Sequence, residues 1–145
     1  MSISDTELFL DELELRRWGF SRANSLEPGA VVWLSGDLGA GKTTLVQGIA
    51  AGLGVAGSAT SPTYNLVHRY EGSRGAVYHV DCYRMNRPDE GGHLDWAGML
   101  AADALIVEWP ERAAEWVPKP DLWIELEHLP DPSRRRLTIR LPVGS

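Results

Sequence analysis

Apolar positions along this chain come in short blocks whose spacing alternates between strand-like and helix-like. Leu8, Phe9 and Leu10 mark a short strand over Thr6–Leu10. Asp11 follows as a helix N-cap, with Glu14 three residues on as the partner of a capping box. Leu15, Trp18, Gly19, Arg22, Ala23 and Leu26 share one helical face, and Gly19 suits close helix packing. Pro28-Gly29 is the expected end of that helix. Val31-Val32-Trp33-Leu34 then reads as a buried parallel strand, and Leu45, Ile49 and Leu53 as one face of a helix over Thr44–Leu53.

Farther on, Tyr64–Tyr70 and Ala76–Val80 are expected to pair around the turn Gly72-Ser73-Arg74-Gly75. Leu94, Ala97 and Leu100 predict a short helix. Ala104-Leu105-Ile106-Val107 is the cleanest buried strand, and it ends at Glu108. Pro110 opens a helix reaching Val117, proline being favoured at a first helical position. Leu122, Ile124 and Leu126 alternate as a strand, as do Leu137, Ile139 and Leu141, with Pro130-Asp131-Pro132-Ser133 between them.

A chain of 145 residues with this patterning is expected to form one domain, 1–145. Hydrophobic content of 43% and charged content of 23% are those of a soluble globular protein. The net charge of −6 argues against direct, tight nucleic-acid binding, although a basic partner could supply it. Cys82 is the single cysteine, so no internal disulfide forms. Acidic Asp5, Glu7 and Asp11 stand where a signal peptide would be basic and apolar, and no apolar run approaches the roughly 20 residues of a membrane span. The cytoplasm is the expected location. His68, His79, His93 and His128 have no metal-ligand spacing with Cys82, so no zinc is expected.

Glycine is concentrated locally: seven of the 15 lie between Gly36 and Gly57. Within that stretch, Gly36-Asp37-Leu38-Gly39-Ala40-Gly41-Lys42-Thr43 fits G-x-x-x-x-G-K-[ST] at every fixed position. It also sits between a buried strand and a helix, as the chemistry requires. Glycines let backbone N–H groups turn inward around phosphate oxygens, and the helix N-terminus adds partial positive charge. The nucleotide-binding group is thus Asp37, Gly39, Ala40, Gly41, Lys42, Thr43 and Thr44. Lys42 would reach the β- and γ-phosphates, and the Thr43 hydroxyl would hold magnesium. Lys42 is one of only two lysines among the 14 basic residues, the other being Lys119.

Three further features bear on turnover. Thr60-Ser61-Pro62-Thr63-Tyr64 lies where switch segments of nucleotide hydrolases sit, with Thr63 as a candidate catalytic hydroxyl. Asp81 and Glu108 each end a strand. If those strands run parallel to the one entering the glycine loop, both converge with it on one crevice. One carboxylate would hold magnesium and the other would orient or deprotonate water, and spacing does not assign which. Arg134-Arg135-Arg136 is the only basic run, either a solvated strand end or, through Arg134, a nucleotide contact. Asp95-Trp96-Ala97-Gly98 spells D-x-x-G, but no N-K-x-D accompanies it, and it is taken as a chance match.

Four stretches together resemble one family: the glycine loop through Thr44, Ser61-Pro62-Thr63-Tyr64, His79-Val80-Asp81-Cys82-Tyr83-Arg84, and Val107-Glu108-Trp109-Pro110. In order and interval they look like TsaE (also called YjeE), the ATPase of bacterial tRNA threonylcarbamoyladenosine synthesis. The resemblance covers roughly Leu15 to Arg140. It implies an α/β fold, a P-loop NTPase-like three-layer sandwich with a mostly parallel central sheet and antiparallel additions. It implies hydrolysis of ATP to ADP with Mg2+, slow alone and activated by partners. The partners would be the TsaD–TsaB pair, which transfers the threonylcarbamoyl group to adenosine 37 of tRNA while TsaE supports the cycle. Thr63 would be the switch hydroxyl, Lys42 and Thr43 the phosphate and magnesium groups, and Asp81 and Glu108 the magnesium and water carboxylates, with Trp109 a conformational neighbour of Glu108. The chain departs from the family after Arg84, where Met85 stands for the usual leucine, and at Leu15, where the family has threonine. Two other functions fit the glycine loop: a small-molecule kinase, and a nucleotide-dependent binding module with negligible hydrolysis.

Overall fold

Two apolar strands carry the architecture. β2 (Ala30–Gly36) and β5 (Ala104–Glu108) run parallel, with Val32 opposite Ile106 and Leu34 opposite Glu108. All of β5 and most of β2 are buried, as strands covered on both faces must be. β6 (Leu122–His128) joins β2 in parallel on one side, and β4 (Ala76–Asp81) joins β5 in parallel on the other. Antiparallel strands complete the edges. β3 (Val67–Glu71) lies along β4, β7 (Arg134–Arg140) along β6, and β1 (Thr6–Asp11) outside β7. The computed structural model describes residues 6–37, 39–57, 66–85 and 88–140. Within them the sheet has seven strands in the order β1-β7-β6-β2-β5-β4-β3.

Each face of the sheet is covered. α1 (Glu12–Ala23) and α2 (Lys42–Gly52) bury Leu15, Ala23, Leu45 and Ile49 against Val32, Leu34, Ile106 and Ile124. On the other face, the short α3 (Trp96–Leu100) contributes Met99, and neighbouring turns contribute Met85, Ala113 and Val117, against Val31, Leu105 and Val107. Among the described residues the result is a mixed α/β sheet with three α-helices and four parallel central strands, in keeping with the mostly parallel sheet that the resemblance implies. α1 and α2 meet at backbone distance: a Cβ on Gly48 would collide with the Arg16 carbonyl.

The capping box forms as expected. Asp11 Oδ1 accepts from the Glu14 N–H at 2.8 Å, and Glu14 Oε1 accepts from the Asp11 N–H at 3.0 Å. Other expectations need correction. α1 ends at Ala23 and does not run on to Pro28. Ser25 stops it, because its N–H (3.0 Å) and hydroxyl (2.7 Å) both donate to the Arg22 carbonyl. The stretch after Pro110 forms two 3-10 turns, Pro110–Arg112 and Ala114–Trp116, and no α-helix. Its bonds close over three residues, Arg112 N–H to Trp109 O and Ala113 N–H to Pro110 O. β3 begins at Val67, and Tyr64, Asn65 and Leu141 lie outside the described residues. No described helix is long and apolar enough to cross a membrane.

Candidate functional site

Parallel strands bring their carboxyl ends to one edge, and here β2, β4 and β5 deliver the residues that carry chemistry. Asp81 and Glu108 are register partners, and Glu108 also lies opposite Leu34, two residues before Gly36. The expected convergence of Gly36, Asp81 and Glu108 is therefore present. Strand parity aims the two carboxylates alike. Val77 and Ile106 pack toward α2, and Asp81 and Glu108 are in phase with them.

The glycine loop bends over this edge. Gly41 holds the N-cap position of α2 with φ of 101°, and no side chain caps the helix. The first-turn N–H groups are thus left to other acceptors. A Cβ at Gly41 would press on Leu15 Cδ2 at 3.0 Å, so glycine is needed there for space as well as for φ. Ala40 is buried, Thr44 half-buried, and Asp37, Gly39 and Thr43 exposed. Lys42 is only 6% exposed. Its Nζ donates to the carbonyls of Gly36 and Asp37, the latter at 2.9 Å, and lies 4.9 Å from the Trp109 ring centre.

Burial drives the electrostatics. It lowers the Lys42 pKa below the lysine norm, against the pull of Glu108, Asp81 and Asp37. It raises the Asp81 carboxyl, and the negative charge of Glu108 pushes the same way. The Tyr83 N–H, donating to Asp81 Oδ1 at 3.0 Å, opposes the rise. Burial also lifts the Cys82 thiol to about 12, leaving it inert as a nucleophile or ligand.

Trp109 follows Glu108 in the left-handed region, φ 54° and ψ 51°, the only described non-glycine residue with positive φ. Its N–H still bonds the Leu34 carbonyl at 3.1 Å. Tyr83 stacks 5.1 Å from it, and the Arg112 guanidinium sits over both rings. Strain of this kind is held only where surrounding contacts over-determine it.

Beside the loop lies a cavity of ≈ 490 Å³, walled by Asp11, Glu12, Leu13 and Leu15, by Gly39, Gly41 and Thr44, and by Pro132, Ser133 and Arg135. Here the basic run divides, and of its two expected readings Arg134 fits the solvated strand end. Arg134 is exposed and donates to the Phe9 carbonyl at 3.3 Å, away from the cavity lining. Arg136 pairs with Glu127, Nη2 to Oε2 at 2.7 Å. It is Arg135 that lines the cavity and donates to the Gly39 carbonyl at 3.3 Å. Period two in β7 could have found it, since Arg135 is in phase with the core residue Leu137. Sequence reading also passed over His79, in phase with Asp81. It is fully buried, with Nε2 2.5 Å from Glu108 Oε2. Thr63 lies outside the described residues. Asp95 of the D-x-x-G match caps α3, accepting from the Gly98 N–H at 3.0 Å.

A hydroxyl at a helix start, two carboxylates and a lysine are hard oxygen and ammonium groups that suit magnesium and phosphate. Among the described residues no three His, Cys, Asp or Glu side chains gather as a metal cage. Beside phosphates, magnesium is commonly held by only one or two protein ligands, so the residues present fit such a site.

Comparison with known proteins adds independent information. The family profile described as "Threonylcarbamoyl adenosine biosynthesis protein TsaE" matches residues 10–137. A Haemophilus influenzae protein named tRNA threonylcarbamoyladenosine biosynthesis protein TsaE is 32% identical over 145 aligned positions, covering 96% of this chain and 92% of its own. Proteins of the same name from Streptomyces coelicolor (43% identical, 70% of each chain) and Bacillus subtilis (37%, 74% of this chain and 68% of that one) are also similar. The crystal structure of Bacillus subtilis YdiB superposes with a TM-score of 0.76 at 28% identity, covering 96% of this chain and 86% of the other.

Proposed function

The chain belongs to the TsaE family, and from that membership we propose that it binds and hydrolyses ATP in support of threonylcarbamoyladenosine formation in tRNA. The fold is on this reading that of a P-loop NTPase. The observation that carries it is the meeting of the glycine loop, Lys42, Asp81 and Glu108 at one edge of the parallel strands.

The chain's own groups divide the work. Loop N–H groups from Gly39 to Thr44 cradle the phosphates. Lys42 exchanges its carbonyl partners for β- and γ-phosphate oxygens, a step favoured because the incoming charge offsets the burial that depresses its pKa. Magnesium, when bound, neutralises charge on the phosphate oxygens, and Thr43 with Asp81 would hold it. Glu108 orients the attacking water. Thr63 completes the switch. The cavity beside Gly41 and Arg135 receives the nucleoside.

Two features support slow turnover in isolation: Lys42 is satisfied by loop carbonyls, and Trp109 is locked beside it in a strained backbone. A partner that moves Trp109 would release the lysine. We assign that role to the TsaD–TsaB pair, which performs the transfer and holds the tRNA, in keeping with the −6 charge of this chain and a cytoplasmic setting. The test is ATP turnover by the purified chain, alone and then with the pair. Slow turnover that rises sharply with the pair supports the reading. Nucleotide binding without turnover in either state would leave a regulatory binding module.

A further inference from the structure

Among the buried positions of the central strands, one away from the strand ends is polar. His79 lies on β4 with no exposed surface, and its in-phase neighbours are Val77 and Asp81 on its own strand, Ile106 on β5 and His68 on β3. A buried polar ring in such surroundings is costly unless its nitrogens are satisfied. Only one is. Nε2 lies 2.5 Å from Glu108 Oε2, while Nδ1 has no hydrogen-bond partner among the described residues. The contact is diagonal, since Glu108 registers with Asp81 and His79 with Ile106. The two side chains therefore reach toward each other across that diagonal.

We propose that His79 is the positioning residue of Glu108: its Nε2–H holds Oε2, so that the carboxylate presents its remaining oxygen to the phosphate crevice in one orientation. The inference deepens the proposed function and rests on its assignment of Glu108 to water. A donor–acceptor pair of this kind keeps a proton on Nε2 and fixes the orientation of the ring. It also explains why the strand tolerates a half-satisfied ring, because a hydrocarbon at position 79 would leave a buried carboxylate free to rotate. The neighbouring Asp81 has its own hold, its Oδ1 accepting the Tyr83 N–H, although His79 also acts on its charge.

The test uses His79→Leu, His79→Gln and Glu108→Gln in the full chain with its activating partners. His79→Leu should lower kcat about 10-fold, the usual cost of losing a support of this kind, with KM for ATP and ADP affinity within twofold of the parent. His79→Gln, whose amide nitrogen reaches the Nε2 position, should recover the larger part of kcat. Adding His79→Leu to Glu108→Gln should cost no further activity. A downfield imidazole N–H proton resonance should be present in the parent, absent in His79→Gln and shifted in Glu108→Gln, whatever the turnover. Undiminished kcat in His79→Leu, a full additional loss in the Glu108→Gln background, or absence of the resonance in the parent would each overturn the proposal while leaving the function intact. Parent-like turnover in Glu108→Gln would instead remove the assignment of Glu108 to water, and the proposal with it.

Discussion

At the amino ends of the parallel strands, Asp103 is 5% exposed and tied on several sides. Arg74 Nη2 lies 3.1 Å from its Oδ1 and Nε donates to its Oδ2 at 3.2 Å, while its backbone bonds Gly29 and Ala76. Asp121 Oδ2 accepts the Val31 N–H at 2.8 Å beside it. At the carboxyl ends of the same strands, Lys42 is as deeply buried, but its partners are loop carbonyls and an aromatic face. Two carboxylates face each other in register, and the next residue holds a left-handed backbone. One edge uses buried charge to fasten loops. The other holds it against loop carbonyls and an aromatic face, and on the proposed function a ligand replaces those partners. Exposure alone does not tell them apart; the identity of the partners does.

Three substitutions probe that contrast, from the largest effect to the smallest. Lys42→Ala should weaken ADP and ATP binding about 100-fold, the loss of a central charge-assisted contact, while leaving the fold intact. Unchanged affinity by titration calorimetry would erase the distinction between the edges. Asp103→Ala should do the converse. Breaking a pair whose acid is buried and whose arginine is partly exposed should cost about 2 kcal/mol and lower Tm by roughly 6 °C, with nucleotide affinity unaltered. Reduced affinity below Tm in that variant would mean the amino edge also serves the site.

Asp81→Asn gives the smallest and most diagnostic change. Burial first, and Glu108 next, raise the Asp81 carboxyl above its ordinary 3.8. The folded protein therefore holds that proton more tightly than the unfolded chain. The group favours the fold below pH 3.8 and opposes it increasingly as pH rises through the raised value. At pH 7 without nucleotide or metal, Asp81→Asn should thus raise Tm, by about 2 °C, since asparagine can still accept from the Tyr83 N–H. The gain should shrink as pH falls toward 3.8. A lower Tm at pH 7 would place Asp81 with Asp103 as a fastening group.

What could be read from the chain was what local chemistry decides. Asp11 and Glu14 sit three apart and need no distant partner to form a capping box. The run from Val31 to Lys42 specifies strand, loop and helix from adjacent residues, and Ala104–Val107 admits little but a buried strand. What escaped depends on distance or on competition between neighbours. The choice of Arg135 over Arg134 rests on the phase of β7 against Leu137, a tertiary fact. His79 and Glu108 are 29 residues apart and meet diagonally, so neither strand announces the other. The early end of α1 was set by Ser25 outcompeting helix continuation for one carbonyl, where Pro28-Gly29 looked the stronger stop.

The cavity beside the glycine loop has a consequence for assembly. Its walls come from the first strand–helix junction, from the loop, and from the turn leading into β7, and β1 reaches its place only by pairing with β7, Thr6 against Ile139. No contiguous half of the chain can build it. Whatever occupies that space engages only molecules whose sheet has closed from both directions, so its binding energy adds to the whole cooperative unit rather than to one local segment.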